Sequence, residues 1–387
     1  MIRRTFFFVA ASAVALMATA FPATAREQWT KADSNRWYDK QPWLLGSNYA
    51  PATAINQFEM WQADTFDTAT IDKELAWAEQ LHMNTMRVFL HNMLWEQDAA
   101  GFKQRIDTFL KIAAKHKIRP VFVLFDSCWD PNPKLGPQHP PIPGVHNSGW
   151  VQGPGAARLA DTAQYGKLRS YVEDIVGSFA TDKRILAWDV WNEPNNGGGG
   201  GGSYAETPNK TALVAPLLDQ VFSWAQAKDP IQPLTSGVWT GDHWDQPGTL
   251  DAVEKIQIAR SDIMTFHDYS WPETFLRRAR QMLSYGRPVI CTEYMARGAG
   301  STFDGSLPIA KALNIGMVNW GFVDGKTQTR MPWDSWKKPY TYEEPTVWFH
   351  EVLRSDGSPY RVAETDLIKR LAMAPKGVVP KTVSLRQ

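Results

Sequence analysis

Eight short apolar runs rich in β-branched and aromatic residues punctuate the chain, at 43–49, 84–91, 120–125, 185–191, 233–239, 263–269, 288–294 and 317–323. Helical spacing of apolar residues fills the gaps at 70–81, 102–116, 164–179, 210–228, 272–285 and 308–314, and 346–353 is expected to supply the last helix. Short strands alternating with helices are the pattern of βα units rather than of a sandwich. Eight such repeats fit a closed parallel barrel, since a doubly wound sheet usually has fewer strands. The expected fold is therefore α/β, a single (β/α)₈ TIM barrel over 26–387 with long loops at the C-terminal face of the strands. Thr70 reads as a helix start, and Pro120, Pro233 and Pro288 mark strand entries. No internal repeat or linker stands out, and the segment after Asp356 is expected to wrap the barrel.

Two loops break the regularity. One, 126–161, follows the third strand, is rich in Pro and Gly, and carries Trp129, Trp150, His139 and His146. The other, 195–203, follows the fourth strand and holds six consecutive glycines. Both leave the barrel face where active sites assemble. The glycine run lacks the Gly-Lys-Ser/Thr ending of a phosphate loop, so it reads as a flexible insertion and not as a nucleotide site.

The first residues, Met-Ile-Arg-Arg, precede an apolar stretch and then Ala23-Thr24-Ala25, a small-x-small pattern. That is a secretory leader, residues 1–25, with cleavage expected after Ala25 and a secreted or periplasmic product. The stretch falls short of the roughly 20 residues of a spanning helix, so no membrane partner is expected after cleavage. Cleavage removes Arg3 and Arg4, leaving 39 basic against 40 acidic residues. With no basic run, a nucleic-acid partner is not expected. Cys128 and Cys291 are too few for a disulfide scaffold, and free or buried thiols are expected. Trp is the outlier, at 18 of 387 residues. Flat indole faces stack on sugar rings, which makes carbohydrate a candidate partner.

The fourth run ends Trp188-Asp189-Val190-Trp191-Asn192-Glu193-Pro194, and the seventh ends Ile290-Cys291-Thr292-Glu293-Tyr294. Pro194 stops the strand and holds Glu193 at the barrel mouth. A glutamate ending an apolar strand is costly without a partner or a task. At the same end of strands four and seven, two such residues can face each other across the barrel axis. Arg87 and His91 share a face of the second strand with Phe89, and His267 and Tyr269 share a face of the sixth. Asp126 ends the third strand, as a hydroxyl ligand or a loop anchor.

These motifs resemble those of the clan A glycoside hydrolases, most of all family 5, which contains cellulases and mannanases. The resemblance implies a retaining β-glycosidase with Asn192-Glu193 supplying the acid/base and Glu293 the nucleophile. It further implies that Arg87 holds Glu293 ionised, that the Tyr269 hydroxyl bonds the nucleophile, and that His267 lies near the acid/base or the sugar. Trp320 would form a platform under the sugar, and Asn192 would bond its 2-hydroxyl. His91 is a supporting candidate that can equally cap a loop. No cofactor or metal is expected: the eight histidines are scattered, with no His-x-His pair.

The expected reaction is hydrolysis of β-linked poly- or oligosaccharides of glucan, mannan or xylan type, by a monomer. A transglycosylase shares the same covalent intermediate and remains an alternative. A non-catalytic carbohydrate-binding barrel would keep the tryptophans without needing both glutamates. Among Trp129, Trp150, Trp239, Trp244, Trp271, Trp333 and Trp336, some should build sugar subsites. The long third loop and the glycine-filled fourth loop argue against an open polymer cleft.

Overall fold

The computed structural model describes residues 1–2, 26–197 and 204–380. The expected leader, from residue 3 on, and five of the six glycines, 198–202, lie outside the described residues. Eight parallel strands form the sheet: β1 (Leu45–Asn48), β2 (Thr85–Phe89), β3 (Arg119–Val123), β4 (Ala187–Asp189), β5 (Leu234–Thr235), β6 (Met264–His267), β7 (Val289–Glu293) and β8 (Gly316–Asn319). They run β5-β4-β3-β2-β1-β8-β7-β6, and a parallel bridge between Val238 and Phe266 joins the two ends into a (β/α)₈ barrel.

The helices are α1 (Lys31–Asp39), α2 (Gln57–Trp61), α3 (Thr68–Gln80), α4 (Asn92–Lys115), α5 (Ala156–Ala160), α6 (Tyr165–Ser178), α7 (Lys210–Gln226), α8 (Ala252–Arg260), α9 (Pro272–Leu283), α10 (Phe303–Ala312) and α11 (Val362–Met373). Six of the starts carry a side-chain cap, at α1, α2, α3, α4, α8 and α10. Asp67 accepts from Thr70 N, so α3 begins two residues before the Thr70 signal, and Asp251 and Glu254 form a capping box on α8. None of the described helices is long and apolar enough to cross a membrane.

Strand alternation sorts the core. On β2, Met86 and Val88 join the layer between sheet and helices, where the Trp61 ring meets Phe102 and Phe109 edge-on. Inside the barrel, Val121, Leu186, Ala187, Ile263, Ile290 and Val318 form the lower layer, and Tyr38 of α1 packs against it as a plug. Above that layer the interior turns polar, and there the site begins.

One helical expectation fails. Residues 346–353 form no helix, because their apolar members are drawn inward one by one. Trp348 stacks on Tyr360 at 4.6 Å, His350 Nδ1 lies 2.6 Å from Met295 O, and Val352 N donates to Phe322 O. The last helix is instead α11, in the stretch after Asp356 that showed little periodicity and was expected only to wrap the barrel; it packs against α10. The other helices outside every expected segment are α1, α2, α5 and α8; the nine residues of α8 mix Glu, Lys and Gln with a thin apolar stripe.

Candidate active site

Arg87 stands at the centre of the polar layer, fully buried. All five of its N–H groups donate. Nε and Nη2 reach Asp189 Oδ2 at 3.0 and 2.8 Å, and Nη2 also reaches Asn192 Oδ1 at 2.7 Å. Nη1 divides between Asn48 Oδ1 at 2.8 Å and Glu293 Oε1 at 2.9 Å. Asn48 is oriented in turn, its amide donating to Thr292 O and Asn319 O. A planar fork on β2 thereby ties β1, β4 and β7 together.

Glu193 and Glu293 face each other. One oxygen of each, together with a ring nitrogen of His267, all lie within 4.8 Å of one another. Burial raises both carboxyls above an ordinary glutamate, but their partners differ. Glu293 accepts from the Arg87 guanidinium and, at 2.8 Å, from the Tyr269 hydroxyl, and these oppose the rise and favour its charge. Glu193 has no Lys or Arg in contact among the described residues: Asn196 Nδ2 donates to Oε2 at 2.7 Å and the Cys128 thiol at 3.3 Å. The contacts with Arg87 and Tyr269 thus favour charge on Glu293, against its burial and the charge of Glu193.

His267 Nδ1 lies 2.7 Å from Glu193 Oε1 and 3.6 Å from Glu293 Oε2. Burial lowers its pKa to about 4, so the ring is neutral at neutral pH and spaces the two carboxyls without adding charge. Glu193 itself holds φ of 42°. A side chain in this left-handed region costs roughly 1–2 kcal/mol, retained where the surroundings over-determine it.

A pocket of about 220 Å³ lies over this pair. Asn192, Glu193, Tyr269, Glu293 and Trp320 line it, as do Trp129, Trp239 and Trp333. Trp320 is braced edge-on by Phe89 and Trp150. Two of the candidates from sequence sit elsewhere. His91 caps α4, its Nδ1 accepting from Met93 N and its Nε2 2.9 Å from Gln152 O. Asp126 is an anchor: Asn192 Nδ2 and Cys128 N donate to one oxygen and Trp150 Nε1 to the other.

Sequence reasoning missed Asn48, Asp189, Cys128, Asn196, His146 and His350. Asp189 carried a signal, a lone acid inside an apolar strand; the others meet the site only through folding. Both cysteines are free. Trp150 and Trp244 are buried, Trp271 is exposed, and Trp336 stacks on Trp129. Among the described residues, one group offers metal-type ligands, Glu193 with His267 and Glu293. A guanidinium already bonded to Glu293 would repel a divalent ion there, so the group suits proton and glycosyl chemistry better.

No family model matches the chain. A curated mannan endo-1,4-beta-mannosidase A from Hypocrea jecorina is 25% identical over 202 residues, covering 46% of this chain and 44% of its own. The chain thus spans less than half the length of that relative. Among solved structures, GH5_18 from Streptomyces cattleya, in complex with Manb1-4GlcNAc, superposes with a TM-score of 0.60 at 12% identity, covering 87% of this chain and 82% of its own. An endo-1,4-beta-D-mannanase from Thermotoga petrophila gives 0.52 at 14% identity, over 85% of this chain and 99% of its own. The chain resembles the clan A glycoside hydrolases of family 5 in sequence motif and in fold.

Replacing Arg87 by Met should lower stability by about 3–5 kcal/mol, because Asp189 and Glu293 would be left buried without a cation. The midpoint of urea unfolding measures it. Arg87→Lys keeps the charge but cannot fill five acceptor contacts, and should fall between the two.

Proposed function

We propose that the chain is a retaining β-glycoside hydrolase acting on β-1,4-linked mannosyl saccharides, with Glu293 as nucleophile and Glu193 as general acid and base. The observation that carries this reading is the pair itself: two glutamates with oxygens within 4.8 Å, in one pocket and in unlike surroundings. Carboxyl groups about 5–5.5 Å apart support double displacement, whereas inversion needs about 6.5–9.5 Å to admit a water.

In the first step Glu293 attacks the anomeric carbon, the bond to the departing oxygen breaks, and Glu193 gives that oxygen its proton. A glycosyl ester on Glu293 results. In the second, Glu193 takes a proton from water, the water oxygen attacks the same carbon, and Glu293 leaves as carboxylate. Arg87 and Tyr269 stabilise the charge that Glu293 carries before and after, and Trp320 is placed to stack under the sugar. Asn192, fixed by Arg87 and Asp126, presents the rest of its amide to the 2-hydroxyl.

Mannose is preferred over glucose and xylose because the curated relative is a mannosidase and both structural neighbours carry mannan or mannosyl names. A transglycosylase would share the ester and differ in what attacks it. The leader read from residues 1–25 supports export.

With an aryl β-mannoside, Glu193→Gln should cost about 10²–10⁴-fold in kcat/KM, and Glu293→Gln should abolish turnover. Proton NMR should show the β-anomer as the first product; an α-anomer first would overturn retention. The basic limb of kcat/KM against pH reports loss of the Glu193 proton. Asn196 favours the ionised form, so Asn196→Ala should move that limb to higher pH. Mass spectrometry of exported protein should give a chain starting at Arg26.

A further inference from the structure

The loops after β3 and β8 are joined into one wall, although β2 and β1 lie between those strands in the sheet. Asn147 N donates to Thr327 O at 2.8 Å and Tyr340 N to Gly144 O at 3.0 Å. Gln328 fills the seam, accepting from Gly144 N and donating to Ile142 O. His146 N donates to Ser335 Oγ, and the Trp336 indole donates to His146 O at 2.8 Å. The Trp336 ring stacks on Trp129 with centroids 5.5 Å apart and planes at 18°.

The seam is tight enough to dictate residue type. Gly144, at φ of 71°, comes so close to Tyr340 that a Cβ would lie 2.3 Å from its backbone. Trp129, Asn147 and Gln328 hold φ of 69°, 49° and 50°. Three side chains in the left-handed region mark a joint whose bonds over-determine it. Behind it the loop after β1 is tied in: Lys326 N donates to Ala52 O, and Asn56 Nδ2 to Gly149 O at 2.8 Å. The void that remains above β1 and β2, between Asn48, Phe89 and Trp320, is about 30 Å³, too small for a sugar.

The glutamates fix which end of a substrate meets this wall. Glu193, just after β4, must face the departing oxygen, so the leaving group lies on its side of the pocket with Asn196 and Trp239. The sugar that keeps its anomeric carbon lies toward Trp320, after β8, the strand opposite β4. A further sugar on that side would run into Trp129, His146 and the seam. The 220 Å³ pocket is also below the roughly 300–1,000 Å³ of sites for drug-sized ligands.

We propose, resting on the glycosidase reading above, that the wall admits a single sugar on the glycone side. The protein then cuts from the non-reducing end and releases one monosaccharide per turnover. Trp336, with Trp129 and His146, sets that limit.

The test uses a β-1,4-mannohexaose labelled at its reducing end, and the same hexaose capped at the non-reducing 4-hydroxyl by one further sugar in α-linkage. The full chain should release mannose and a labelled ladder shortened one unit at a time, and should cut the capped substrate at least 100-fold more slowly. Unlabelled di- or trisaccharides at the earliest times, or equal rates on both substrates, would overturn the inference while leaving the glycosidase reading intact. Failure on both together with failure on aryl β-glycosides would sink that reading, and this inference with it. Trp336→Ala should raise the rate on the capped substrate relative to the uncapped one at least tenfold, with aryl β-mannoside hydrolysis as the control for folding.

Discussion

The guanidinium of Arg87 is the interaction on which the site depends. A cation taken wholly out of water is tolerable only when every donor is matched and its charge is neutralised, and here five N–H groups meet Asp189, Asn192, Asn48 and Glu293. The two acids divide its charge, one structural and one facing the pocket. Because the acceptors come from β1, β4 and β7, the same contacts that neutralise Arg87 fix the spacing of the strands that carry the glutamates. Position and electrostatics are set by one group.

That arrangement separates two chemically identical side chains. Burial alone would raise both carboxyls. Contact with Arg87 and Tyr269 favours charge on Glu293, while Glu193 is left with an amide, a thiol and a neutral imidazole. His267 stays neutral because it is buried, despite lying beside two acids. The difference between the two carboxyls thus comes from their neighbours, and backbone strain at Glu193 is held by the polar layer beneath it.

Around this rigid centre the loops do a different task. The joint between the β3 and β8 loops uses backbone bonds, one glutamine and a stacked indole pair, none of which touches the carboxyls. The residues of the polar layer and those that shape the pocket wall are therefore separate sets.

Much of this was legible in the chain. Short apolar runs rich in β-branched and aromatic residues mark strands buried on both faces, so all eight strands fall within or against the expected runs. A glutamate closing an apolar strand declares itself by its cost, and so did Glu193, Glu293 and Arg87. Local pattern failed where partners are distant. The apolar residues of 346–353 have helical spacing yet pack singly onto the barrel mouth, and α11 forms where its weak stripe meets α10. His91 and Asp126 sit at the right strand ends but turn to a helix N-terminus and to Trp150. The sequence by itself determined the barrel and the glutamates at its mouth, because alternation and burial cost are local properties. Only the tertiary structure decided how far apart the two stand, that Asp189 and Asn48 share the Arg87 guanidinium, and that Trp336 lies on Trp129, because those depend on contacts between residues far apart in the chain.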